Sequence, residues 1–179
     1  MLARILAAVD RSPVNEVVFE QALYLARLSG ATLYLLHVLT SRERAAPNLQ
    51  PGLSVTNLYF PQYGGEMIRD YRHEWGSFER ESLDRLQALV GRAQAQGISA
   101  EYVQVAGKPS RRICEFARDW NVDLVVVGRR GRAGLRRLSL GRVSNHVVNH
   151  APCAVWVADA SRPSQAEAEA DGAAALAQP

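Results

Sequence analysis

Short, unbroken apolar runs alternate along the chain with stretches of helical periodicity. Residues 3–9 (ARILAAV), 31–38 (ATLYLLHV), 124–127 (LVVV) and 153–158 (CAVWVA) are too short for helices and rich in aliphatic side chains. Such runs read as strands buried on both faces. Residues 98–105 (ISAEYVQV) alternate instead, as an edge strand does. Between the first two runs, Val14, Val17, Val18, Ala22, Leu25 and Leu28 recur at helical spacing. Ser12-Pro13 supplies an N-cap and first-turn signal, and Gly30 a stop. A second helix is predicted from Met67 to Gln96, with Trp75, Phe78, Leu83, Leu86, Leu89 and Val90 on one side. Gly76 inside it marks a kink or the true start. Two more helices follow, one opened by Gly107-Lys108-Pro109 with Ile113, Phe116, Ala117 and Trp120 inward, the other running from Gly141 to His150. Five strands alternating with four helices predict an α/β fold, a five-stranded parallel sheet sandwiched by helices.

Two stretches depart from this rhythm. Residues 40–65 carry three prolines and three glycines, yet also Leu53, Val55, Leu58, Tyr59, Phe60 and Tyr63. That is too apolar for a free linker, and it reads as an ordered insertion after the second strand, packed on the domain or on a partner. Residues 161–179 are low in complexity with no periodic apolar face, and read as a disordered tail after a domain at 1–160.

Composition narrows the class. The chain is 47% hydrophobic and 22% charged, an ordinary globular balance. No apolar run approaches a membrane span and no cleavable leader is evident, so a cytoplasmic location is expected. Cys114 and Cys153 lack CxxC or Cys/His metal spacing and read as small buried hydrophobes. The net charge of +3 is unevenly placed. Six arginines lie from Arg129 to Arg142, and no acid occurs between Asp123 and Asp159.

That basic stretch follows the fourth strand and holds Gly128, Gly131 and Gly134, with Gly141 opening a helix. A strand, a glycine-rich loop and a helix N-terminus form a phosphate cradle. Glycine lets the backbone approach an anion, and the first helical N–H groups point at it. The sequence after the first strand, AVDRSPVNE, has no glycine, which argues against a dinucleotide fold. The only lysine, Lys108, precedes proline, so there is no P-loop either.

Several pieces together carry a family resemblance: AVD ending the first strand, LHV ending the second, VAGKP after the edge strand, and VVVGRRGRAGLRRLSLGRVSNHVVNHAPCAVWV. Over residues 3–158 the chain resembles the ATP-binding branch of the universal stress protein family. That family's signature, G-x2-G-x9-G-[ST], is matched by Gly128, Gly131 and Gly141; Arg142 stands where it has Ser or Thr. The resemblance implies an adenine nucleotide α-hydrolase-like fold and ATP as ligand, with magnesium as a companion. It also implies a regulatory stress-response role with slow or no ATP hydrolysis. Residue by residue, it places Asp10 at the adenine and ribose side and Val38 against the adenine. Val127 and Gly128 would contact the ribose and phosphate region, with Gly131, Gly141, Arg142, Val143 and Ser144 around the phosphates, and Arg129 is a further cofactor-binding candidate among the arginines. It further implies homodimers paired through the strand at 153–158, with Trp156 near the contact.

Other readings stay beside these. Asp10 alone is an N-cap, Val38 alone is core, and the arginines alone are a solvated loop. His146 and His150 share a helix face at zinc-compatible spacing, but residue 147 is valine and no carboxylate supports them. No aromatic residues interleave the basic run, so no nucleic-acid partner is expected. No nucleophile–base pair is visible. The alternative to ATP binding is a homodimeric interaction protein of the same fold that takes no nucleotide, and Arg142 is the residue that argues for it.

Overall fold

The computed structural model describes residues 1–43, 46–47, 61–129 and 140–159. Its elements are β1 (Arg4–Val9), α1 (Asn15–Ser29), β2 (Thr32–Leu39), α2 (Pro61–Ala95), β3 (Ala100–Ala106), α3 (Pro109–Asp119), β4 (Leu124–Arg129), α4 (Arg142–His150) and β5 (Ala154–Asp159). All strand pairs are parallel, in the order β3-β2-β1-β4-β5. This is the predicted five-stranded α/β sandwich, with the alternating strand at one edge and the terminal strand at the other.

Parallel strands need covering on both faces, and two cores supply it. Ile5, Ala7, Leu33, Leu35 and Val126 pack against α1 and α2 through Val18, Phe19, Leu86 and Ala93. Leu6, Leu36, Val38, Val125 and Val127 pack the other way, against Ile113, Ala117 and Val147 of α3 and α4. The period-two alternation of strands β1, β2 and β4 therefore sorts their side chains between two helical layers.

Several boundaries differ from expectation for physical reasons. Helix α1 begins at Asn15 rather than at Pro13. The Ser12 N–H is taken by Asp10 Oδ1 (2.8 Å) and its carbonyl accepts from Asn15 N (3.0 Å), so a closed turn precedes the helix. The buried stripe of α1 is Val18, Phe19, Ala22, Leu23 and Ala26, whereas Leu28 is exposed. The expected stop holds: Gly30 is left-handed at φ 71°. Helix α2 starts six residues before Met67, at Pro61, and runs unbroken through Gly76, where an added Cβ would meet only Arg80 Nη1 at 3.7 Å. Residues 61–65, read from the sequence as part of the insertion, thus belong to α2. Residues 44–45 and 48–60 of it, the basic loop 130–139 and the tail from 160 lie outside the described residues.

Strand order locates the functional end. The chain moves from β1 outward to β2 and β3, then crosses back to β4 on the other side of β1. The carboxyl ends of β1 and β4 flank the resulting switch point, where open α/β sheets bind ligands.

Candidate functional site

At that point β1 delivers Asp10 and β4 delivers Val127, Gly128 and Arg129. The Asp10 carboxylate accepts the Ser12 N–H, and its own N–H donates to Asn15 Oδ1 (3.1 Å). Both bonds fix the turn that leads into α1. Val38, at the end of β2, is buried among the α3/α4 core. The nucleotide-side candidates Val38 and Val127 therefore share one face of the sheet.

Gly128 is glycine because of packing. A Cβ there would stand 2.8 Å from Val14 Cγ1 and 3.0 Å from Val18 Cγ2, closer than real contacts allow. Its carbonyl accepts the Ser144 hydroxyl at 2.6 Å, which ties the first turn of α4 to the end of β4. Ser144 is buried, and its proton is directed to that carbonyl rather than outward. Arg129 is drawn sideways to Asp159 of β5, Nη1 to Oδ2 at 3.0 Å, in the register that pairs those two residues.

Gly141 is different. It is the residue before α4, with φ −60° and ψ 155°, a conformation open to any L-residue. The nearest atom to an added Cβ is Ser144 Oγ at 4.0 Å. No side chain caps the helix, and the first intrahelical bond runs from Asn145 N to the Gly141 carbonyl at 2.8 Å. The N–H groups of Arg142, Val143 and Ser144 therefore form the open, positive end of α4. Arg142 is exposed at the first helical position and makes no ion pair among the described residues. Gly131 lies outside the described residues, as do Arg130, Arg132, Arg136 and Arg137.

Farther along α4 the rings of His146 and His150 stack at 4.1 Å, and His150 Nδ1 contacts the His146 carbonyl at 2.8 Å. Desolvation, then the neighbouring His150 and Lys108, hold His146 below the ordinary histidine value. Among the described residues no three His, Cys, Asp or Glu side chains group as a metal site. Both cysteines are free, and burial first of all pushes their thiols above the ordinary value.

One arrangement was not foreseen. His37 belongs to a buried pair: its Nε2 faces Glu43 Oε1 and Oε2 at 3.2 and 3.1 Å. Glu43 Oε1 also accepts the Arg11 N–H at 2.9 Å. The chain leaving β2 is thereby pinned to the turn leaving β1. The available signal was a carboxylate six residues after a histidine at a strand end, within a stretch otherwise read as insertion.

A parallel α/β sandwich with a bare helix N-terminus beside its switch point is an architecture whose open end suits an anionic ligand. The sequence profile of the universal stress protein family matches residues 1–159, so the chain belongs to the universal stress protein family. A universal stress protein of Synechocystis sp. is 31% identical over 161 residues, covering 86% of this chain and 96% of that one. Universal stress protein YxiE of Bacillus subtilis is 31% identical over 158 residues, covering 88% and 99%. Among solved structures, one from Methanocaldococcus jannaschii superposes with a TM-score of 0.65 at 21% identity over 92% of this chain and 99% of that one. An Arabidopsis thaliana family member with AMP bound gives 0.59 at 23% identity, covering 92% and 94%. A universal stress protein in complex with cAMP gives 0.56 at 19%, covering 88% and 97%. At those identities the structures speak for the fold. No helix among the described residues is long and apolar enough to cross a membrane.

Proposed function

We propose that this universal stress protein binds an adenine nucleotide, ATP, at the crevice between β1 and β4, and acts as a regulatory stress-response module with little or no catalysis. The observation that carries the reading is Gly141. Among the described residues neither its backbone angles nor its neighbours require glycine, and it stands before an uncapped helix start. A bare residue there lets a ligand approach the helix N-terminus closely. The adenine would lie toward Val38 and Asp10, the ribose near Val127 and Gly128, and the phosphates against the N–H groups of Arg142, Val143 and Ser144, with Gly131 in the loop between. Relatives crystallised with AMP and cAMP support an adenine ligand. Arg142, exposed and without an ion pair among the described residues, takes a phosphate oxygen in place of the hydroxyl that the family signature has.

The functional unit is a homodimer joined along β5. That strand is the sheet edge, and it exposes Trp156, 47% accessible although its Nε1 donates to Gln21 Oε1 at 2.7 Å. An apolar, unpaired strand edge favours a second strand. The protein is assigned to the cytoplasm. Equilibrium binding of ATP to the pure protein, with Gly131→Val and Gly141→Val beside it, tests the reading. Saturable binding lost in both variants supports it; no binding by wild type favours the nucleotide-free interaction protein, for which Arg142 remains the argument. Phosphate release above background, lost in the same variants, would make the protein a slow ATPase.

A further inference from the structure

An ion pair stands on the β5 side of the crevice. Arg129, the last residue of β4, is joined to Asp159, the last residue of β5, Nη1 to Oδ2 at 3.0 Å. We propose that Asp159 is a positioning residue that sets the phosphate affinity of the site: it holds Arg129 to one side, and a bound nucleotide draws the guanidinium away from it. This role presupposes the nucleotide reading above and concerns the phosphates alone.

Strand alternation puts the pair on the ligand side of the sheet. Val125 and Val127 of β4 point into the α3/α4 core, and Val126 into the α1/α2 core. A Cβ on Gly128 would meet Val14 and Val18 of α1, so Gly128 belongs with Val126. The period of two then turns Arg129 to the α3/α4 face. On β5, Val155 and Val157 pack on that core and Ala158 on the other, which gives Asp159 the same face as Arg129. The parallel register sets the two residues side by side. The uncapped start of α4 lies on this face too, and it is close: the Ser144 hydroxyl bonds the carbonyl of Gly128, the residue before Arg129. A long side chain leaving the backbone one residue beyond that bond can turn to β5, where it now is, or to the helix start, where the phosphates are proposed to lie.

Charge makes the choice matter. From Arg129 to Arg142 the chain carries six arginines, and no acid occurs between Asp123 and Asp159. Asp159 is thus the first carboxylate after the basic stretch, and it is used on the arginine at the strand end. The hold is loose. The two side chains are 25% and 32% exposed, and an ion pair so open to water is weak. A phosphate presents several anionic oxygens to the guanidinium fork, a better match than one hydrated carboxylate. Exchange leaves the Asp159 carboxylate in contact with water rather than stranded in a core, so it costs little beyond the pair itself.

The test is calorimetric titration of ATP and of adenosine into the full chain as wild type, Asp159→Asn, Arg129→Ala and the double variant. Asp159→Asn keeps the shape and removes the charge. ATP affinity should rise about fivefold, the scale of an exposed ion pair, and the rise should shrink with added salt. Adenosine, with no phosphate, should bind Asp159→Asn and wild type alike. In the Arg129→Ala background the same substitution should change ATP affinity by less than about twofold, because no arginine is left to release. That arm separates release of the arginine from simple removal of a negative charge. Equal ATP affinity of wild type and Asp159→Asn, an equal rise for adenosine, or a rise undiminished without Arg129 would each overturn the proposal. Failure of the nucleotide reading has its own signature. Binding by Asp159→Asn with none by wild type removes that reading for the wild-type chain and leaves the role of Asp159 standing, whereas no binding by either overturns both.

Discussion

Gly128, near the end of β4, and Gly141, just before α4, stand in opposite surroundings. At Gly128 the space is already taken: two valines of α1 stand where a side chain would go. At Gly141 the space is open among the described residues, the backbone is ordinary and the helix start has no cap. The first belongs to the packed α1/α2 side of the sheet, where β1, β2 and the chain beyond Leu39 are locked by the His37–Glu43 pair. The second belongs to the side proposed to receive a ligand, where the first N–H groups of α4 are uncapped. On that proposal, one motif mixes residues that hold the fold with residues that hold a guest, and only the surroundings tell them apart.

The packed side should be the more sensitive. Glu43→Ala leaves buried His37 and the Arg11 N–H without their carboxylate. A loss of about 3 kcal/mol is expected in chemical denaturation, as for other broken buried pairs. An effect below the usual surface range of ~0.5 kcal/mol would mean that the clasp does not hold the strand ends together. Gly128→Ala comes next. The new methyl must push Val14 or Val18 aside, for about 2 kcal/mol, within the range for overpacked cores. An unchanged denaturation midpoint would contradict the packing argument.

On the receptive side, Arg142→Ser restores the hydroxyl of the family signature but removes an exposed charge. ATP affinity should fall about fivefold, the scale of an exposed ion pair, and the loss should shrink with added salt. A rise in affinity would show that the arginine obstructs the crevice. The smallest effect is a control at the opposite end of the sheet. Asp123 accepts the Ala3 and Arg4 N–H groups at 2.7 and 2.9 Å, and these bonds hold its carboxyl below the ordinary value of 3.8. A depressed folded value means stability that is present above the unfolded value and lost as the pH falls through the folded one. The gap between wild type and Asp123→Asn should therefore persist at neutral pH and close below about pH 4. A gap unchanged across that acid range would refute the linkage.

Most of the fold is legible in the sequence because buried parallel strands leave continuous apolar runs, as 31–38 and 124–127 do. Stops written in backbone geometry are legible too, Gly30 being the clear case. What escapes are features decided by contacts between segments. The start of α1 is delayed because Asp10 takes the Ser12 N–H, a bond invisible to a capping rule. The start of α2 runs back to Pro61 through Gly64 and Gly65, two residues whose low helix propensity points the other way. At the site, the glycine spacing is plain, but that Ser144 gives its proton to the Gly128 carbonyl is not. Nor does periodicity reveal that Ser82 occupies a core position with its hydroxyl unused, although it falls squarely in the stripe of Phe78 and Leu86.

The central claim is that Gly141 is kept bare for a nucleotide, and calorimetric titration of ATP into wild type and Gly141→Val tests it most directly. Saturable binding by wild type and a loss of at least tenfold in the variant are expected, with the two proteins equally stable to denaturant within ~0.5 kcal/mol. Equal ATP affinity in both, or no saturable binding by wild type, would contradict it.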